Sequence, residues 1–178
     1  MRTLLLSLAA LCALISTARA EVAESSPSAF LLRAEETVPA SPEQTWRHLV
    51  RIGSWWGGDH TYSRASANLR LEARAGGCWC ERWSGGGVEH GRVVLVMERD
   101  GVRTLRINAP LGPLQEMAVQ GVLTFTITPH ANGSRLSMTY RVAGDAGLGL
   151  NAIAPVVDTV LTEQYGRLIR LSTTGSPD

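Results

Sequence analysis

The sequence predicts an α+β domain in which an antiparallel sheet of seven strands curls around one long C-terminal helix. Three observations carry this. Between Leu69 and Val142, apolar residues alternate in short runs, with glycine- or aspartate-rich turn signals at Gly85-Gly86-Gly87, Asp100-Gly101 and Asn132-Gly133. From Ile153 the period changes, and Val156, Val157, Val160, Leu161, Gln164, Tyr165, Leu168 and Leu171 recur at helical spacing. A sheet with one apolar face and a helix with one apolar stripe bury both by packing together.

The elements follow in order. Phe30 to Val38 alternates and reads as the first strand. Ser41-Pro42-Glu43 starts a helix, with serine as N-cap, proline in the first turn and an acid beside it. That helix carries Trp46, Leu49, Val50 and Ile52 on one side and stops near Gly53. Trp55-Trp56-Gly57-Gly58 makes a short turn. Strands follow at Leu69–Ala73, Cys78–Ser84, Val88–Arg99, Val102–Ala109, Val119–Pro129 and Leu136–Val142, antiparallel because short turns join them. Pro110 and Pro113 mark a loop, and Gly144 to Gly149 a hinged loop before the last helix. Pro155 fits only a first turn, which places that helix's start near Ala152.

Met1 to Ala20 has the form of a secretory signal: Arg2 near the start, an apolar run from Leu4 to Ile15, and Ala18-Arg19-Ala20 as a small-x-small cleavage site. The run is short for a membrane span. Leu11 is too bulky for the position before a lipidated cysteine, which argues against an anchor on Cys12. The expected organisation is a signal over 1–20, a flexible leader over 21–28, one domain over 29–172 and a tail over 173–178. The expected location is secreted, in the periplasm.

Cleavage after Ala20 would remove Arg2 and Arg19 and leave 15 basic and 16 acidic residues, a net charge of −1. No basic patch for nucleic acid or anionic membrane remains. Every basic residue other than histidine is arginine, which excludes a Schiff-base lysine and a phosphate-loop lysine. No nucleophile elbow or dinucleotide loop is present, no cofactor is implied, and no catalytic metal is expected.

The sharpest chemical signal is Gly76-Gly77-Cys78-Trp79-Cys80-Glu81-Arg82-Trp83. On a strand Trp79, Glu81 and Trp83 share a face, and two tryptophans argue that this face is buried. Glu81 is then a carboxylate in apolar surroundings that needs a partner, a proton or a ligand. It reads either as a ligand-orienting or acid–base group, or as a structural acid paired to an arginine such as Arg106. His60 and His90 are further acid–base candidates. His90 faces away from the Val93, Leu95 and Met97 side unless the strand bulges at Gly91. Tyr140 faces inward, and its hydroxyl needs a partner that a ligand could supply. Cys78 and Cys80 stand at the edge of disulfide reach on a regular strand, so two free thiols on the outer face are the simpler expectation.

Several of these stretches resemble the SRPBCC, or START-like, superfamily: Ser41-Pro42-Glu43 with Trp46, Trp55-Trp56, Gly76 to Glu81, Gly91-Arg92-Val93, and Gly121-Val122-Leu123-Thr124-Phe125. The likeness spans roughly Phe30 to Leu171. That superfamily includes polyketide cyclases, the birch-pollen allergen type and homologues of the activator of a heat-shock ATPase. It implies the helix-grip fold and an apolar ligand held between sheet and long helix. It fixes fold better than function. The leading expectation is a binding protein for a small hydrophobic or aromatic molecule, acting as a monomer or homodimer. Its pocket would be lined by Trp55, Trp56, Leu71, Trp79, Glu81, Trp83, Leu95, Ile107, Phe125, Met138, Tyr140, Val157 and Tyr165. The alternatives are a cyclase- or hydrolase-like enzyme using Glu81 or His90, and a module that binds a protein partner with its outer sheet face.

Overall fold

In the computed structural model residues 20–178 are described, so the signal-like segment, apart from Ala20, lies outside the described residues. Eight strands form one antiparallel sheet: β1 (Glu21–Ser26), β2 (Ala29–Val38), β3 (Leu69–Leu71), β4 (Cys78–Trp83), β5 (Gly86–Arg99), β6 (Val102–Asn108), β7 (Gln120–His130) and β8 (Gly133–Ala143). Among the described residues two α-helices complete it, α1 (Pro42–Val50) and α2 (Leu150–Thr174). The sheet order is β1-β2-β8-β7-β6-β5-β4-β3. Among the described residues no helix is long and apolar enough to cross a membrane.

The additional strand comes from the stretch expected to be a loose leader. Residues 21–26 pair antiparallel with β2 and leave only Pro27 and Ser28 as a turn. Its side chains are mostly exposed, so the apolar pattern that marks the other strands is missing there. Ladder bonds to the edge of β2 hold it instead.

The core lies between the concave face of the sheet and α2. One row of inward side chains crosses five strands in register, Leu32, Tyr140, Leu123, Ile107 and Val93, each at most 1 % exposed. Leu161, Tyr165 and Leu168 of α2 press into the sheet, and Leu49 of α1 closes one end. The start of α1 is as expected: the Ser41 hydroxyl accepts from the Gln44 amide at 3.2 Å, with Pro42 in the first turn. By contrast, α2 begins two residues before Ala152, on Gly149 in the left-handed region (φ 62°), so Pro155 falls in its second turn. The helix forgoes one backbone bond there.

On β5 the parity changes twice. The register jumps from the Trp79–Gly91 pair to the Cys80–Glu89 pair, leaving His90 as the extra residue of a bulge. A second shift falls between Val93 and Leu95. Beyond it Leu95 is only half-buried and Met97 is 40 % exposed, against the expectation that both face inward with Val93.

Candidate functional site

Glu81 is the charged centre of the site. Its place on β4 turns it inward, and its side chain is 0 % exposed. Three donors converge on the carboxylate: the Tyr62 amide at 3.1 Å, the Ser63 amide at 2.5 Å and His90 Nε2 at 2.9 Å. The arginine expected as its partner is elsewhere, since exposed Arg106 donates to Thr124 Oγ1 at 3.1 Å. Burial alone would raise the Glu81 carboxyl, but the bonds from Ser63, His90 and Tyr62 outweigh it and hold it below the ordinary carboxylate range. Glu81 therefore ties the segment between α1 and β3 to the sheet and fixes one nitrogen of His90.

His90 reaches Glu81 because of the bulge. In a regular ladder it would point outward with Arg92, whereas it is 6 % exposed and faces in. Bulges re-aim side chains in this way. Gly91 makes the geometry possible, because a Cβ there would stand 2.6 Å from Ala109 Cβ and 2.8 Å from the Asn108 oxygen. The imidazole lies between two rings, Tyr62 at 5.9 Å and Trp79 at 5.6 Å between centroids. Desolvation lowers its pKa and the Glu81 charge offsets only part of this, so the ring titrates below the ordinary histidine range.

Across the bulge sit the two cysteines. They are bridged, which corrects the expectation of free thiols. Facing the register shift, β4 is contracted relative to a regular strand: their Cα atoms are 5.4 Å apart, inside disulfide range. Glu89 lies beside them and pairs with Arg92, but bridged sulfurs are not thiolate ligands for a metal.

His90 forms part of the wall of a cavity of about 600 Å³. Its walls are mostly apolar and come from three places. Leu111, Pro113, Leu114 and Met117 belong to the connection between β6 and β7. Ile153, Val156, Val157, Val160 and Leu161 belong to the first half of α2. Trp56 and the segment Asp59 to Tyr62 complete it. That segment is held from both sides. From α2, Gln164 Oε1 accepts the Gly57 amide at 2.6 Å, Arg167 Nε donates to the Trp55 oxygen at 2.7 Å, and Glu163 meets His60 Nε2 at 3.1 Å. From the sheet, Glu81 holds Tyr62 and Ser63.

Of the residues expected to line a pocket, Trp56 and Val157 do so, and the acid–base candidates His60 and His90 lie in the same wall. Glu81 and Trp79 stand directly behind it: Glu81 bonds His90, and Trp79 packs edge-on against Trp56 at 4.9 Å. The others do not line it. Trp55, Ile107, Phe125, Met138, Tyr140 and Tyr165 are core, while Leu71 and Leu95 are half-buried. Trp83 is 36 % exposed at the end of β4, its ring against Gly86, which corrects its inward assignment. The Tyr140 hydroxyl is satisfied by backbone, donating to the Ala109 oxygen at 2.8 Å and accepting from the Leu111 amide at 3.2 Å. The Tyr165 hydroxyl donates to the Leu136 oxygen at 2.6 Å. The cause is volume: Trp55, Tyr165 and Phe125 fill the space between the sheet and the second half of α2, so the space opens at its first half.

No protein-family profile matches the chain, and no curated protein matches it. Solved structures do. A conserved protein of unknown function from Enterococcus faecalis is similar with a TM-score of 0.58 at 13% identity, over 83% of this chain and 74% of that one. Norcoclaurine synthase from Thalictrum flavum, a point mutant solved with a transition-state analogue, gives 0.52 at 14% identity, over 81% and 95%. A Rhodobacter sphaeroides protein gives 0.51 at 19% identity, over 86% and 97%. At these identities the likeness carries the fold, an antiparallel sheet gripping a C-terminal helix, and nothing of activity.

Proposed function

We propose that this is an exported, periplasmic protein of the SRPBCC type that binds a small hydrophobic or aromatic molecule between the first half of α2 and the loops facing it. The observation that carries the reading is the cavity itself: about 600 Å³, walled by aliphatic side chains and Trp56, with His90 as a polar group in its wall. Small-molecule sites have this volume and this lining, a mostly apolar pocket with few polar groups that set orientation. Val156 supports it further, being 66 % exposed on an otherwise amphipathic helix at the cavity's edge. The signal-like first twenty residues support export.

The test is binding of N-phenyl-1-naphthylamine, a neutral apolar dye whose emission rises on leaving water. The expected result is saturable binding by the wild type, lost in a folded Val160→Phe variant that fills the cavity. Equal binding by both would remove the site from this cavity.

The Glu81–His90 pair favours a second reading, an enzyme in which His90 moves a proton at the cavity wall. A carboxylate that orients an uncharged imidazole is the arrangement of many general bases. Given a turnover assay, Glu81→Gln would lower kcat with little change in KM if this reading holds.

A further inference from the structure

The geometry points to a neutral ligand that presents a phenol- or enol-type O–H to Nδ1 of His90. This rests on the binding reading above and names the class of molecule bound.

The argument is one of hydrogen-bond accounting. Both Glu81 oxygens accept backbone N–H groups, Oε2 from Tyr62 and Oε1 from Ser63. A carboxyl group in that setting is an acceptor at both atoms, so the 2.9 Å contact with His90 Nε2 requires Nε2 to carry the proton. In an uncharged imidazole the other nitrogen, Nδ1, is then an acceptor. Among the described residues no side chain or backbone group donates to it, and His90 lines the cavity. The ring cannot turn to present its N–H instead without breaking the bond to a fully buried carboxylate. The protein thus fixes an acceptor, not a donor, in a wall whose other polar residues are engaged or open to solvent: His60 meets Glu163, the Thr61 hydroxyl donates to the Gly58 oxygen, and Asp59 and Tyr62 are exposed.

The rest of the lining narrows the class. Among the described residues no arginine contributes to it, so an anion finds no arginine to pair with there. Asp59, an acid of the lining, is itself exposed to solvent, while Glu81 is spent on its three donors. A buried cation would therefore also be unpaired, at high cost. A neutral hydroxyl with a good donor on a flat apolar body meets each requirement: it satisfies Nδ1, leaves no charge buried and fits beside Trp56.

Three probes of one ring system test this by calorimetry at neutral pH: 2-naphthol, 2-methoxynaphthalene and 2-naphthoate. The wild type should bind 2-naphthol roughly tenfold more tightly than the ether, since the ether leaves Nδ1 unpaired, and the anion should bind most weakly. In His90→Leu, which keeps an apolar wall, the naphthol advantage should vanish. If that variant does not fold, the wild-type ratio alone decides. Equal affinity for naphthol and ether would overturn the inference and leave the binding reading standing. Tighter binding of the naphthoate would do the same. Binding of none of the three would overturn both.

Discussion

Replacing Glu81 by glutamine keeps its shape and removes its charge, which isolates what the carboxylate contributes. The amide side chain offers one acceptor and one donor group where three N–H groups converge, so at least one donor must face another. Loss of a charged acceptor for buried donors costs about 1.5–3 kcal/mol. Glu81→Gln should lower unfolding stability by that order in urea titrations at neutral pH. Acidification reports on the same pair. Both groups are held below their ordinary ranges, so the unfolded chain takes up protons first as pH falls. Stability should decline as pH passes below 6.5, where an unfolded histidine protonates, and further below 4.5 for the carboxylate. In Glu81→Gln the lower of these two losses should be smaller than in the wild type. An unchanged acid profile would mean that Glu81 is not ionised in the native state.

At the scale of elements, the site depends on one irregularity. His90 faces the cavity because β5 bulges opposite a contracted β4, where Cys78 and Cys80 are bridged. A bridge between residues two apart closes a very short loop, so it constrains the unfolded chain by only about 1–2 kcal/mol. Its larger consequence is local, since it holds the strand facing the bulge in its contracted form. Gly91 is the position at which this can be probed without touching sulfur or the dyad. Gly91→Ala would force its Cβ against Ala109 and the Asn108 carbonyl, backbone and small atoms that have little room to yield. The expected cost is about 1–3 kcal/mol, read as a lowered Tm, together with weaker binding of the naphthol probe. A variant as stable as wild type would show that the close packing of β5 on β6 is not required for the bulge.

For the molecule as a whole, the architecture was legible and the site only partly so. Alternation and turn residues located seven strands, and the period change at Ile153 located α2. The edge strand β1 escaped because its residues are polar and exposed, held by ladder bonds that leave no apolar signature. Glu81 and the partnering of Trp79 with it on one inward face followed from strand parity, but the identity of its partner did not. Parity assigns His90 outward, and only a bulge, which the sequence signals weakly through Gly91, reverses it. The expected cavity lies between the sheet and the C-terminal helix, with Val157 and Tyr165 both in its wall. Side-chain volume decides otherwise, since aromatic residues occupy one half, and the connection holding Leu111 to Met117 has no periodicity that would mark it as a wall.

The central claim is that this cavity holds a small molecule, and native mass spectrometry of the protein purified from its native source addresses it directly. The account predicts an added mass that disappears on denaturation, corresponding to an apolar, hydroxyl-bearing compound, with the polypeptide beginning at Glu21. A protein that is bare under native conditions, and stays bare after incubation with 2-naphthol, would contradict it.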